Sequence, residues 1–172
     1  MKKLPLLMSH NLIETPSYDL PKGYRFRFFQ HEDDVNHWAK IVTATDEFSN
    51  EQAALDRFRT EFATHLSEVQ KRMFFVETAD GKTIGTATGW FGTWNNQTLG
   101  RLHWVEISPA HQGKKLGKPM IAKAMEVLAH YHNKAYLKTQ TTSLAAIHIY
   151  KKFGWEPVIN TEQDQYAWSF VP

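Results

Sequence analysis

The sequence predicts a mixed α/β fold built around a largely antiparallel sheet. Stripes of apolar residues at helical spacing alternate along the chain with short runs that alternate apolar and polar residues. The Asp80-Gly81 dipeptide between two such runs is typical of a β-hairpin. In the last third, one strand–helix–strand crossover follows the hairpin strands. The predicted order is β, α, α, β, β, β, α, β, α, β, β, a sheet of six to seven strands flanked by about four helices.

The composition indicates a single globular domain over residues 1–172. Hydrophobic residues make up 42% of the chain and charged residues 22%, and the formal net charge is only +2, so no global charge demands nucleic acid or a membrane surface. The absence of cysteine excludes disulfide scaffolds, thiolate zinc sites and a cysteine nucleophile. Because no signal peptide or membrane-spanning window is found, we expect a cytoplasmic protein.

The first half of the chain is predicted to hold a lead-in, one strand and two helices. Residues 1–23 carry several proline and glycine turn signals and are predicted to be an extended N-terminal lead-in. Tyr24–Phe28 alternates rings with charges, as a half-buried strand does. Apolar residues at helical spacing predict a helix over His31–Ala44. A second helix is predicted to start after Asn50 as N-cap, with an apolar stripe from Leu55 to Val69.

The second half is predicted to begin with a three-stranded meander and to continue as alternating helices and strands. The predicted strands are Met73–Glu77, Thr83–Phe91, Leu99–Ile107, Ala135–Thr139, Trp155–Ile159 and Gln165–Phe170. One helix is predicted to begin near Gly117, and another to end at Phe153 with Gly154 as its cap.

A basic, glycine-containing loop over Ser108–Met120 joins a predicted strand to a predicted helix. Loops of this kind point backbone N–H groups and the positive end of the helix dipole at one place, which favours a phosphate group. The lysines that could add positive charge are Lys114, Lys115 and Lys118. The loop is neither a Walker loop nor a dinucleotide fingerprint. On the loop alone, a phosphate cradle and an ordinary solvated helix start both stay open.

This loop and a later segment together resemble the GCN5-related N-acetyltransferase (GNAT) superfamily. Its acetyl-CoA motif is Arg or Gln, two residues, Gly, one residue, Gly or Ala; here Gln112 and Gly117 match, with Lys115 where the first glycine is usual. Thr142–Trp155 is similar to the family's Asn-x-x-Ala-x-x-x-Tyr-x-x-x-Gly-Phe segment, with Ser143 where Asn is common. The two motifs occur in the family's order and spacing.

The resemblance implies transfer of an acetyl group from acetyl-CoA to a primary amine by direct attack in a ternary complex, without a metal. In the family, the strand before the loop, here Leu102–Ile107, offers backbone groups to the pantetheine arm and the thioester, often through a β-bulge. The residues that the resemblance assigns to acetyl-CoA binding are Val105, Ile107, Gln112, Gly113, Lys114, Lys115, Leu116, Gly117, Lys118, Ser143 and Tyr150.

Three residues are candidates for the proton transfers. Tyr150 matches the family's tyrosine that protonates the departing thiolate, but its place on an apolar stripe also allows a packing role. His103 and Glu106 lie on the strand beside the presumed thioester, and alternation places them on opposite faces unless a bulge intervenes. His103 has the intrinsic pKa nearer neutrality. Either residue could instead have only a structural role.

The acceptor amine, whether a small molecule or a peptide, is not identified by the sequence. The aromatic residues Trp38, Trp90, Phe91, Trp94 and Trp104 could line an acceptor pocket or belong to the core. Two other functions stay open, namely a catalytically silent CoA-binding or regulatory module and a transferase that uses another acyl-CoA. A homodimer is also possible.

Overall fold

The computed structural model describes residues 2–172 as a seven-stranded sheet with helices on both faces. Met1, the first residue of the predicted lead-in, lies outside the described residues. The strands are β1 (Pro5–His10), β2 (Tyr24–Phe28), β3 (Met73–Thr78), β4 (Thr83–Trp94), β5 (Gln97–Ile107), β6 (Ala135–Gln140) and β7 (Glu156–Pro157). The α-helices are α1 (Asp33–Ala44), α2 (Glu51–Glu61), α3 (Leu66–Arg72), α4 (Gly117–Tyr131), α5 (Leu144–Lys152) and α6 (Glu162–Trp168). Within residues 2–172, none of these helices is both long and apolar enough to cross a membrane.

The sheet has the strand order β2-β3-β4-β5-β6-β1-β7, and only the β5–β6 pair is parallel. This pair extends only from Gly100 to Leu102 on β5. Beyond it, β5 continues beside β4 to Ile107, whereas the end of β6 pairs with β1. The two strands therefore separate, and a cleft opens between their C-terminal ends.

Each face of the sheet packs on its own hydrophobic core. Neighbouring residues on a strand point to opposite faces, so Phe74 joins the core under α4, α5 and α6 while Phe75 joins the core under α1, α2 and α3. Trp38 is fully buried in the second core, where its ring meets those of Phe58 and Phe62 edge-on. The two cores hold the cleft-forming strands between them.

The N-terminal segment contributes a strand that the sequence analysis did not predict. Pro5–His10 forms β1, which pairs antiparallel with β6 on one side and with β7 on the other. Leu6 and Met8 are buried at alternate positions, as expected for a strand. The turn signals at Pro5, Pro16 and Pro21 predict an extended chain but not the place of this segment within the sheet.

The predicted strand over Gln165–Phe170 is wrong, because this segment lies in α6 and the turn that follows it. The hydroxyl of Thr161 accepts from the Asp164 N–H while the Asp164 carboxylate accepts from the Thr161 N–H, a complete capping box. The Thr-x-x-Asp spacing is a helix-start signal that outweighs the short aromatic run. The preceding predicted strand, Trp155–Ile159, is reduced to the two residues of β7.

The predicted second helix is interrupted after Glu61. A short 3-10 turn over Ala63–His65 separates α2 from α3, so the apolar stripe is not continuous. Phe62 and Val69 are buried as the stripe predicts, but Leu66 is 44% exposed. The interruption leaves Glu61 as the last residue of α2, beside β5.

Candidate active site

A cleft of about 1680 Å³ opens where β5 and β6 separate. It is bordered by the ends of these strands, the loop before α4, the start of α5, and the α1–α2 connection with the end of α2. This volume exceeds the few hundred to about 1000 Å³ of a site for one drug-sized ligand. Across the described chain, no group of three or more Asp, Glu or His side chains could hold a metal ion.

A β-bulge in β5 decides which side chains enter the cleft. Thr86 and Thr88 of β4 face Glu106 and His103 respectively, so Trp104 and Val105 together oppose a single β4 residue. Trp104 has the left-handed φ of 48°, which is rare for an aromatic residue. Because the bulge inserts one extra residue, His103 and Glu106 lie on the same face, and both line the cleft.

The loop between β5 and α4 forms a cradle of backbone N–H groups. Gly113 and Lys115 have φ of 76° and 62°, left-handed values that turn the backbone ahead of the helix. The N–H groups of residues 113–118 donate to no acceptor within residues 2–172. Free N–H donors and the positive end of the dipole of the 15-residue α4 both favour the binding of an anion at this loop.

The left-handed φ of Lys115 explains why glycine is usual at this place in the motif. Glycine adopts such a φ without steric cost, whereas a residue with a Cβ is strained by about 1–2 kcal/mol. The lysine keeps the glycine-like backbone, and its exposed side chain lies at the edge of the cleft. The departure from the motif therefore leaves the backbone cradle in place.

Most residues that the sequence assigns to acetyl-CoA binding come together in the cleft. Those that line it are Val105, Ile107, Gln112, Gly113, Lys115, Leu116, Gly117, Ser143 and Tyr150. Lys114 and Lys118 do not line it, and Lys118 lies beside Lys152, which lowers the pKa of Lys118. The Gln112 side chain is already engaged, since its Nε2 donates to the Ile107 carbonyl at 3.0 Å and ties the loop to the end of β5.

Tyr150 projects from α5 into the cleft and is only 7% exposed. Among residues 2–172, its hydroxyl has no side-chain hydrogen-bond partner, and the residue lines the cleft. Burial, and secondly the charge of Glu106, raise the pKa of Tyr150 above its ordinary value near 10. The phenol therefore stays protonated at neutral pH and is available as a proton donor.

Glu106 is the cleft carboxylate with the most unusual acidity. Burial raises its pKa, the nearby Glu47 carboxylate adds to the effect, and the Thr45 hydroxyl opposes it, giving a pKa of about 7. A carboxyl group with this pKa can both accept and hold a proton near neutral pH. The effect of its charge on Tyr150 places the two groups in the same part of the cleft.

His103 is held by Glu61, a residue that the sequence analysis missed. The His103 ring contacts one Glu61 carboxylate oxygen through Nε2, and the Trp104 indole N–H donates to the other at 3.4 Å. Burial lowers the pKa of His103, and the contact with Glu61 only partly opposes this. The imidazole is therefore largely neutral at neutral pH. No local pattern signals Glu61, because it meets β5 only after α2 folds over the sheet.

The aromatic candidates divide between the cleft and the core. Trp90, Phe91 and Trp104 line the cleft, whereas Trp38 and Trp94 do not. Trp90 is also buried in the core under α1, α2 and α3, with its ring stacked on Phe91 at 4.5 Å. Trp90 thus belongs to the core and also lines the cleft.

Comparisons with known proteins give a family match and several similar folds. The model of the acetyltransferase (GNAT) family matches residues 28–155. A GCN5-related N-acetyltransferase from Sphaerobacter thermophilus superposes with a TM-score of 0.73 at 14% identity, over 91% of this chain and 49% of that chain. A GNAT-family acetyltransferase from Colwellia psychrerythraea gives a TM-score of 0.68 at 12% identity, over 91% of this chain and 53% of that chain.

The present chain thus spans about half the length of these two structures. A protein of Pyrococcus horikoshii is closer in size, with a TM-score of 0.65 at 18% identity over 80% of this chain and 92% of that chain. A search of curated protein sequences found no significant match. The structural similarities confirm the predicted fold, and the family match, which covers most of the sequence, confirms the predicted membership. The chain belongs to the acetyltransferase (GNAT) family.

Proposed function

We propose that this protein transfers the acetyl group of acetyl-CoA to a primary amine by direct attack in a ternary complex. One observation carries the proposal: a single cleft is lined at one end by Gly113, Lys115, Leu116 and Gly117 of the backbone N–H cradle and holds, nearby, a protonated phenol and a carboxyl group with a pKa of about 7. The first feature suits a diphosphate, and the other two suit the proton transfers of aminolysis.

The donor set of the cleft fits acetyl-CoA. The N–H groups of residues 113–118 would hold the diphosphate, while Val105 and Ile107 on the free edge of β5 would flank the pantetheine arm. Ser143 borders the cleft from the opposite side, at the start of α5. When bound, acetyl-CoA supplies an acetyl group activated as a thioester.

The chain's own residues account for both proton transfers. The neutral amine attacks the acetyl carbon with its lone pair, and ionised Glu106 accepts the proton that the nitrogen loses as the bond forms. As the carbon–sulfur bond breaks, Tyr150 donates its phenolic proton to the sulfur. After the thiol has formed, the proton held by Glu106 restores the Tyr150 phenol, so both groups return to their starting states. The backbone at the Trp104 bulge is released from regular pairing with β4 and can offer an N–H to the thioester oxygen. The products are an amide and the CoA thiol.

Replacing Tyr150 by Phe is expected to lower kcat by about 10- to 100-fold, because the proton donor is lost while the ring is kept. The KM for acetyl-CoA is expected to stay nearly unchanged. Thiol release from acetyl-CoA, measured across a panel of amines and confirmed by mass spectrometry of the acetylated product, provides the assay. The matched control is Tyr136→Phe, since Tyr136 is buried on β6 but does not line the cleft.

An unchanged kcat in Tyr150→Phe would show that Tyr150 has a packing role and is not the proton donor. Acetyl-CoA binding without turnover of any amine would instead favour a silent CoA-binding module, and turnover of a different acyl-CoA would favour another acyl donor. We place the reaction in the cytoplasm as part of the same proposal, since a chain without cysteine is compatible with a reducing compartment.

A further inference from the structure

Two arginines of the cleft form no ion pair with any carboxylate of residues 2–172. Of the six arginines in the sequence, all within the described residues, four form ion pairs with Asp or Glu. The other two, Arg57 and Arg101, both line the cleft. Arg57 is exposed and Arg101 is half-buried, and the effect of the Arg101 charge on the pKa of Glu61 places one carboxylate near it without forming an ion pair.

Arg101 is the more enclosed of the two. It projects from β5 on the same face as His103, two residues away, and its guanidinium carbon lies 5.7 Å from the centre of the Tyr136 ring. Its Nε atom is buried and has no hydrogen-bond partner within residues 2–172. The terminal N–H groups of a guanidinium can donate hydrogen bonds to a planar or tetrahedral anion.

Arg57 lies on α2, one helical turn before Glu61, and therefore on the same side of the helix. The charges of both arginines act on the His103 ring, which places them around one spot. Glu61 supplies one negative charge there, but its carboxylate oxygens already contact His103 and Trp104. This part of the cleft, formed by Arg57, Glu61, Arg101 and His103, keeps a net positive charge.

The positively charged part of the cleft around Arg57 and Arg101 is separate from the backbone N–H cradle of residues 113–118. The cradle follows Ile107, whereas Arg101 lies near the closed end of the cleft, where β5 still pairs with β6. Residues 102–107 of β5, which separate Arg101 from the loop, correspond to roughly 15–20 Å of strand. Glu106 lies between these two positions and has the acidic Glu47 beside it. From Arg101 toward Glu106, the acceptor side of the cleft thus changes from positive to acidic.

We propose that the acceptor is an amine that also carries an anionic group, which Arg57 and Arg101 bind while the amine is presented to Glu106. This inference rests on the proposed acetyltransferase function and adds the class of acceptor. Carboxylate and phosphate-type groups share the recognition chemistry, so the experiment distinguishes them.

The test uses matched amines with the same carbon chain: amino carboxylates from glycine to aminohexanoate, their carboxamides, and aminoalkyl phosphonates. We expect kcat/KM for the preferred anionic amine to exceed that of its carboxamide by about 10- to 100-fold. The preferred anionic series identifies the group that the arginines bind. Arg101→Gln and Arg57→Gln are each expected to remove most of this preference by raising KM for the anionic amine.

Arg59→Gln is the matched control, because Arg59 lies on the same helix, pairs with Asp56 and does not line the cleft; it is expected to keep the preference. If Arg101→Gln fails to fold, Arg101→Lys is the replacement test. This variant keeps the charge and is expected to lose only part of the preference for the anionic amine. Equal or better use of the carboxamides, no turnover of any anionic amine, or a preference that survives both Gln variants would overturn the inference. The proposed function is judged separately by acetyl-CoA stabilisation of the parent protein and by turnover of any amine.

Discussion

Replacing Glu106 by Gln is expected to lower kcat/KM by about 100-fold or more at about pH 8, because the variant lacks the proposed proton acceptor. In the parent protein, kcat/KM is expected to rise with pH through about 7, the pKa of Glu106. The variant is expected to lose this rise of kcat/KM with pH, the limb of the pH–rate profile that Glu106 produces. A pH–rate profile of the parent and the variant, with the same acceptor, measures both effects.

Two further variants separate Glu106 from His103 as the base. The pKa of His103 is lowered from 6.5, so a limb that depends on His103 would lie below that of Glu106. Glu47→Gln removes a neighbouring negative charge and is expected to move the Glu106 limb to lower pH. A Glu106→Gln enzyme that keeps the limb near pH 7, or a parent limb that moves with His103→Gln, would contradict the assignment.

The same Glu106→Gln variant is expected to be more stable than the parent above pH 7. Because the pKa of Glu106 is raised in the folded protein, the unfolded chain releases this proton at a lower pH than the folded protein does. The parent's stability therefore falls as the pH rises between about 4.5 and 7, and the cost is fully present above pH 7. The expected gain for the variant is about 3 kcal/mol at about pH 8 and close to zero at about pH 4.

Replacing Asp34 by Ala is expected to lower the free energy of unfolding by about 3–5 kcal/mol. Asp34 is 1% exposed, and its two carboxylate oxygens accept from both terminal nitrogens of Arg27 at 2.8 and 2.9 Å. One of them also accepts from the backbone N–H groups of Gln30 and His31, just before α1. Its removal leaves these donors and a partly buried guanidinium without their main acceptor, although Glu77 still contacts Arg27.

Asp33→Ala is the matched control, because Asp33 is the exposed neighbour and forms no ion pair with any of residues 2–172. Its expected effect in urea denaturation at neutral pH lies within about 0.5 kcal/mol. Burial opposes ionisation of Asp34, but its hydrogen bonds outweigh burial and hold its pKa well below the usual range. Its contribution is thus present above about pH 4 and is lost as the pH falls. Equal losses in the two variants would show that the Arg27 pair contributes little to stability.

The fold could be predicted well wherever the signal is local. The strands from Met73 to Ile107 and the helix beginning at Gly117 agree with the structure to within a few residues, because side-chain alternation, an Asp-Gly turn and helical spacing act over short distances. The insertion of β1 between β6 and β7 could not be predicted in this way. It pairs Pro5 with Gln140, and no local pattern encodes a partner so far along the chain.

The candidate site could likewise be predicted only where its residues carry a local sequence signal. The sequence motif locates the loop, in which Gly113 and Lys115 both have a left-handed φ, although the sequence analysis predicted no backbone conformation for Lys115. By contrast, Arg57 and Glu61 reach the cleft only because α2 packs over the sheet. The acidic residues at the start of α1 predict only a favourable helix dipole, whereas Asp34 is also the buried partner of Arg27 on β2.

The most direct test of the account compares thermal unfolding of the protein with acetyl-CoA and with S-acetylpantetheine at the same concentration. Both carry the thioester, but only acetyl-CoA has the diphosphate that the N–H groups of residues 113–118 would bind. A ligand that binds the folded state raises the unfolding temperature by mass action. We predict a rise of several degrees with acetyl-CoA, on the order of 4 °C for each kcal/mol of binding, and a much smaller one with S-acetylpantetheine. No rise with acetyl-CoA, or equal rises with both compounds, would contradict the account.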